Sequence, residues 1–225
     1  GVIAAMPGTV PAIGVWRTWR KDYEREWNEN VIQWIEKKDI KDVILVCFWS
    51  QRIGAMPVVN SRYLVSGPNI DSKTSDQAAR ALAEGLEKTI KRLADDGRNV
   101  WVVGQMPFTS GDPKREWLMN EYFGSPSMTD KTSQPYLVAK RKVDHLLDSL
   151  NAPFKKLDSD VQVFKEKEAI PLVIDGTCLW FDKDHLSVDG ANLVLAELFS
   201  PVKEALLMQT AGRQSHPYAL HVIKQ

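Results

Sequence analysis

The sequence predicts an α/β fold, a three-layer α/β/α domain on a flavodoxin-like parallel sheet, and three observations carry that expectation. Val43-Ile44-Leu45-Val46-Cys47-Phe48 is a continuous β-rich run, as found in strands covered on both faces. Ala78, Leu82, Leu86, Ile90 and Leu93 then recur at helical spacing. Asn99-Val100-Trp101-Val102-Val103-Gly104 returns to strand character. Strand, helix and strand in succession imply a parallel sheet with helices on its faces.

The other elements follow in order. Gly1 to Ala5 is a short apolar opening, and Pro7 to Gly14 a Pro/Gly loop. Trp27, Val31, Trp34 and Ile35 mark a first helix. A long loop with Gly54, Pro57, Gly67 and Pro68 leads to Thr74 and Gln77, which have capping-box spacing at the head of the second helix. Gly97 ends that helix. Pro107 to Pro135 reads as a polar loop, and Ala139, Val143, Leu146, Leu147 and Leu150 as a helix. Val161–Phe164 and Pro171–Ile174 are weaker strand candidates, and a final helix is predicted from about Asp189 to Leu207. No internal repeat or linker is visible, so residues 1–210 are read as one domain and 211–225 as a loosely ordered tail. Ligands of such folds bind at the C-terminal ends of the strands, which puts the loops after Ala5, Phe48, Gly104 and Ile174 at the working edge.

Composition narrows the function classes. A chain of 225 residues can bury one sizeable core. Basic and acidic residues balance at 29 each, so no long-range field favours nucleic acid, and no basic cluster is interleaved with aromatics. No apolar run approaches the roughly 20 residues of a membrane span. No signal peptide is visible, and residue 1 is Gly within a strand-like run. Of the two cysteines, Cys47 is expected to be a buried, unpaired small hydrophobe, and Cys178 lies in a loop. Neither has a partner at zinc-ligand spacing.

The chemistry concentrates in Asp182-Lys183-Asp184-His185-Leu186-Ser187-Val188-Asp189-Gly190-Ala191. Asp182 and His185 stand three residues apart where a loop enters the last helix. A turn there brings the carboxylate to the imidazole Nδ1–H and leaves Nε2 to act as a base toward a hydroxyl. Ser187 suits a helix N-cap, and Gly190-Ala191 suits close packing on the sheet. Two other readings stand beside this one. The stretch is also what an acidic, capped helix start looks like. Asp182, Asp184, His185 and Asp189 also form a possible metal-ligand set.

Trp180-Phe181-Asp182-Lys183-Asp184-His185-Leu186-Ser187 with Gly190-Ala191 resembles the last block of the SGNH (GDSL-like) hydrolase superfamily. More specifically, it resembles the SGNH domain associated with membrane acyltransferase-3 proteins. Gly8-Thr9-Val10-Pro11-Ala12-Ile13-Gly14 is similar to that family's loop after its second strand. Val43 to Ser50 is similar to its third strand. The likeness runs from Gly1 to about Leu207. It implies Asp182 and His185 as two members of a catalytic triad, Gly8 as an oxyanion donor, and Trp49 and Ser50 as oxyanion or substrate-lining residues. Trp49 reads equally well as a core aromatic.

The superfamily's nucleophile, the Ser of Gly-Asp-Ser, is absent from the sequence. Asp71-Ser72, Asp148-Ser149 and Asp158-Ser159 are its Asp-Ser pairs, and none follows an apolar strand. The loop pattern aligns the first visible strand with the family's second. The nucleophile strand is therefore expected upstream of Gly1, and its loss should leave an unpaired apolar edge. The resemblance implies a serine O-acyltransferase or acetylesterase domain acting on hydroxyls of cell-surface glycans through an acyl-Ser. The substrates would be a glycan and an acyl ester, the neighbour an N-terminal membrane acyltransferase domain, and the location extracytoplasmic, in a periplasm or at a cell surface. No cofactor or metal is implied. The alternatives are a free-standing carbohydrate esterase or lipase, and a non-catalytic glycan-binding pseudo-enzyme.

Overall fold

The computed structural model describes residues 4, 9–17, 20–56, 61–109, 111–124, 129–130, 134–158, 164 and 170–214. The first described strand is β1 (Trp16–Arg17), followed by helix α1 (Lys21–Lys37). A buried ion pair joins them: the Arg17 guanidinium meets the Glu24 carboxylate, which also accepts from the Arg17 amide at 2.7 Å. Asn28 donates to the carbonyl of Ala12 at 2.9 Å. The buried face of α1 is Glu24, Asn28, Ile32 and Ile35, and Trp34 is exposed. The predicted stripe through Trp27, Val31 and Trp34 is therefore displaced. Two polar side chains with satisfied bonds occupy positions that a hydrophobicity count assigns to apolar ones.

Strand β2 (Asp42–Leu45) ends before Val46. Among the described residues, 46–48 have no strand partner, and Trp49 opens the short helix α2 (Trp49–Arg52). The expectation of a strand to Phe48 covered on both faces is corrected here. Val43 and Leu45 are buried, but Ile44 and Val46 are exposed. Strand β3 (Val65–Ser66) pairs antiparallel with β1.

Helix α3 (Ser75–Asp95) has the capping box in full: the Gln77 amide donates to Thr74 Oγ1, and the Gln77 side chain accepts from the Thr74 amide. Its stripe of Ala78, Leu82, Leu86, Ile90 and Leu93 is fully buried. Gly85 lies in the same face, because a Cβ there would strike Val15 and the Ile13 carbonyl. The neighbouring Ile13 amide donates to Thr89 Oγ1 at 2.7 Å. Arg92 reaches from α3 to Glu29 and Glu36 of α1. After Gly97, which has a positive φ of 75°, the chain enters β4 (Asn99–Val103).

Helix α4 (Pro113–Phe123) stands where the sequence reading has a polar loop. Asp112 accepts from the amides of Lys114 and Arg115, and Pro113 is the first helical residue. An aspartate cap followed by proline is a start signal, but the helix behind it lacks an apolar stripe. Strand β5 (Thr129–Asp130) and helix α5 (Gln134–Asp148) follow. Tyr136, Ala139, Val143, Leu146 and Leu147 of α5 are buried.

Strand β6 (Lys155–Leu157) completes a three-stranded parallel sheet in the order β2-β4-β6, with Val43 opposite Val100, Leu45 opposite Val102, and Val103 opposite Leu157. Sequence reasoning passes over β6 because two of its residues are lysines. Lys156 ion-pairs with Asp144, and Lys155 lies over the Trp101 ring. Of the predicted strand 161–164, only Phe164 is described; it is buried in a turn. Pro171–Ile174 does not extend the parallel sheet. It divides into β7 (Ile170–Pro171), antiparallel to β5, and β8 (Val173–Ile174), which forms a hairpin with β9 (Thr177–Cys178).

The last predicted helix is two, α6 (Val188–Leu198) and α7 (Ser200–Gln214). α7 takes in the first four residues of the segment read as a tail; residues 215–225 lie outside the described ones. Together the parallel sheet and its flanking helices give the three-layer α/β/α fold. Among the described residues, β2 has a strand partner only on its β4 side, and no helix is long and apolar enough to cross a membrane.

Gly190 fixes how α6 meets the rest. A Cβ there would overlap the Leu179 carbonyl oxygen and stand 2.8 Å from its carbonyl carbon. Those are backbone atoms of a buried segment and cannot rotate away. Gly190→Ala is expected to destabilise the domain by about 2–4 kcal/mol despite alanine's better helix propensity. An exposed-face change, Ile44→Thr, should stay within about 0.5 kcal/mol. Urea unfolding of the two variants against the parent sequence checks both values.

Candidate functional site

The chain from Trp180 to Leu186 doubles back on itself. Trp180 and Leu186 form an antiparallel bridge, and the Phe181 amide donates to the His185 carbonyl at 2.8 Å. Asp182, Lys183 and Asp184 make the turn. Asp182 Oδ1 accepts from the amides of Asp184 at 3.0 Å and of His185 at 2.8 Å. An aspartate that captures backbone N–H groups ahead of it is the usual stabiliser of such a turn. Here the same bonds bring the imidazole round: His185 Nδ1 lies 2.9 Å from both Asp182 oxygens.

The loop is anchored on three sides. The Trp180 ring is buried, its indole N–H donating to the Pro171 carbonyl at 2.9 Å. Ser187 caps α6, accepting from the Gly190 amide at 2.9 Å while its hydroxyl donates to the Cys178 carbonyl at 2.6 Å. Thr109, in the loop leaving β4, donates its amide to the Lys183 carbonyl at 2.7 Å. That last bond ties the turn to the loop beyond the C-terminal end of the central strand. Nothing in the sequence singles out Thr109. It is one hydroxyl among many in a loop, and its partner is a main-chain carbonyl.

The electrostatics follow from the bonds. Partial burial pushes Asp182 toward the neutral form, but the hydrogen bonds from the Asp184 amide, the His185 ring and the His185 amide outweigh it and hold its carboxyl at about 2. His185 is raised above the ordinary histidine value, first by its hydrogen bond to Asp182, against a smaller opposing effect of burial. Asp184 moves upward, chiefly through burial and then through the neighbouring Asp182 carboxylate. Asp182 is thus an ionised acceptor at neutral pH. The neutral imidazole carries its proton on Nδ1, and Nε2 is left as the basic nitrogen. The His185 side chain is 71% exposed.

Asp182, Asp184 and His185 also place ligand atoms within 4.8 Å of one another, without Asp189. Both Asp182 oxygens already accept from the imidazole or the turn amides. A cation would have to compete with the bonds that form the loop.

Among the described residues, the other candidates make no hydrogen bond to this pair. Trp49 is fully buried and donates its indole N–H to the Val103 carbonyl at 2.7 Å. Ser50 is also fully buried; its amide donates to Gln105 Oε1 at 2.8 Å and its hydroxyl to Met56 Sδ at 3.3 Å. In this arrangement both residues brace the turn after β2 against the loop after β4, and their donors are engaged. Gly8 lies outside the described residues. Ser72 is buried beside β3, its amide donating to Ser66 Oγ. The Ser149 hydroxyl donates to the Leu146 carbonyl at the end of α5. Ser159 lies outside the described residues. Cys47 and Cys178 are free and half-buried, and burial pushes the Cys47 thiol up.

Among solved structures, the chain is similar to the periplasmic domain of the lipopolysaccharide acetyltransferase of Salmonella ser. Paratyphi A. Identity is 15% and the TM-score 0.52, over 85% of this chain and 68% of that one. That likeness is one of fold. The curated proteins contain no significant match. Residues 1–200 match the family described as the SGNH domain fused to AT3 domains. With the match covering most of its length, the chain belongs to that SGNH domain family.

Proposed function

We propose that this domain carries the acid–base half of a serine O-acyltransferase that moves a short acyl group onto a hydroxyl of an extracytoplasmic glycan. The observation that carries the reading is the Asp182–His185 pair: an ionised carboxylate on Nδ1 of an imidazole that is largely exposed to solvent. The family match, and the acetyltransferase activity in the neighbour's description, support acyl transfer as the reaction class. That neighbour is described as periplasmic, which supports an extracytoplasmic location. The AT3 fusion partner of the family supports a membrane acyltransferase domain in the same polypeptide.

In the reaction, His185 Nε2 takes the proton of a serine hydroxyl as its oxygen attacks the acyl carbonyl. The donor's leaving group departs with that proton, and the acyl group stays as a serine ester. The acceptor hydroxyl then attacks the ester, again losing its proton to Nε2. The collapsing tetrahedral centre expels the serine oxygen, which recovers the proton. Asp182 holds the imidazole in the working tautomer and stabilises the imidazolium. The serine belongs, on this reading, to a strand that pairs with the open side of β2. The exposed Ile44 and Val46, and the lack of a second strand partner for β2 among the described residues, support that placement.

Two outcomes test the proposal. The 225-residue chain should not turn over p-nitrophenyl acetate at a serine-enzyme rate. A longer chain with an upstream Gly-Asp-Ser should, and His185→Ala in it should lower kcat by about 10³-fold or more. Stoichiometric labelling of the 225-residue chain by a serine-directed inhibitor, together with turnover, would sink the proposal.

The pH profile of the longer chain gives a second test. The base works only when neutral, so kcat/KM must rise with pH through the His185 pKa. That pKa is raised, so the limb should lie above the ordinary histidine value of about 6.5. Asp182→Asn removes the bond that raises it. The limb should then move to lower pH, while the plateau rate falls by about 10⁴-fold. A limb that stays in place in Asp182→Asn would show that the carboxylate does not act on the base.

A further inference from the structure

We infer that the groove between α4, the β8–β9 hairpin and the head of α6 is a binding subsite for one neutral pyranose ring. Trp117 and Phe181 would be its stacking surfaces, and Lys114 and Asp189 its hydroxyl partners. Calling that ring the acceptor rests on the acyl-transfer reading; the groove itself does not.

The cavity measures about 500 Å³. That falls within the ~300–1,000 Å³ of sites that hold a single small molecule. Its floor is the buried Trp180, fixed through its indole N–H. Its walls present apolar surface to water: Phe181 is 57% exposed and Leu118 44%. Exposed aromatic and aliphatic side chains gathered around a concavity mark a contact surface. A flat aromatic face takes an apolar ligand face of its own width, and the C–H face of a pyranose is such a surface.

The rim sets the charge class. Lys114 and Asp189 both border the groove, and the Lys114 ammonium is held 3.8 Å from the centre of the Phe181 ring. A carboxylate on the ligand would face Asp189, and an ammonium would face Lys114. A neutral polyol satisfies both, because the carboxylate only accepts and the ammonium only donates, whereas a hydroxyl does either. Phe181 immediately precedes Asp182. A ring lying on Phe181 would therefore rest on the same hairpin that carries His185.

Saturation-transfer NMR on the 225-residue chain tests the groove without any chemistry, using the methyl glycosides of glucose, galactose and mannose as probes. At least one should show transfer to its ring protons. Trp117→Ala should weaken that binding by about tenfold or more, and Trp117→Phe, which keeps a flat face, should retain it. Should Trp117→Ala fail to fold, Phe181→Ala removes a largely exposed ring and carries the same expectation. Absence of transfer from all three probes overturns the inference. So does binding unchanged by both alanine variants, or tighter binding of methyl glucuronide than of methyl glucoside. The two readings fail separately. Sugar binding lost in Trp117→Ala, in a protein whose longer form never turns over an ester, leaves the groove and removes the catalysis. Turnover lost in His185→Ala, with sugar binding indifferent to Trp117 and Phe181, does the reverse.

Discussion

The Asp182 carboxylate organises the site through bonds that do two jobs at once. Oδ1 accepts from the amides of Asp184 and His185, which closes the turn, and both oxygens meet His185 Nδ1, which orients the base. Remove the carboxylate and the turn loses its closing bonds as the imidazole loses its partner. A three-residue separation is therefore a geometric requirement. The turn is just long enough for the imidazole to fold back onto the side chain that caps it. Those bonds lower Asp182, while burial first, and then the Asp182 carboxylate, raise Asp184. Asp182 is held at about 2 and Asp184 is pushed upward, so one carboxylate serves as a fixed negative partner and the other does not.

That turn is precise only because its base is rigid. Trp180 on one strand of the hairpin is buried and hydrogen-bonded to Pro171. Just past the other strand, the cap at Ser187 binds back to Cys178. Gly190 allows α6 to approach the Leu179 backbone closely enough for that cap to form. The string Trp-Phe-Asp-x-x-His-Leu-Ser-x-x-Gly thus reads as one mechanical unit: an anchor, a turn, a cap and a close approach. This explains why the motif is informative where the Asp-x-x-His spacing alone is not. The tetrapeptide specifies a turn, and the flanking residues specify what the turn is mounted on.

Legibility in the sequence followed the same logic. Helix α3 could be read fully, because its capping box and its apolar stripe point to one answer. The edges of the parallel sheet could not. β6 is two lysines and a leucine, stabilised by Asp144 and by the Trp101 face, and an apolar-run criterion passes over it. α4 was hidden for the opposite reason: its cap at Asp112-Pro113 is plain, but the helix behind it has no buried stripe to confirm it. Pro171–Ile174 has strand character, and its partners are antiparallel neighbours that no local pattern names. At the site, Asp182 and His185 were legible because their contact is local. Thr109 was not, since it meets Lys183 through a main-chain carbonyl 74 residues away.

The exposure of His185 bears on how such a base could work. In water, an ion pair at hydrogen-bond distance contributes little, and the imidazolium gains most from Asp182 when solvent is excluded. The turn itself lies at the surface: the Asp182 side chain is half-exposed and the imidazole stands more fully in the open. Covering it falls to whatever occupies the Nε2 side. The hairpin that bears His185 also forms one wall of the aromatic groove, through Phe181. A ligand seated there would cover part of the hairpin that carries the base. The rigid mounting matters for the same reason. A turn that moved when the groove filled would lose the alignment that desolvation is meant to strengthen.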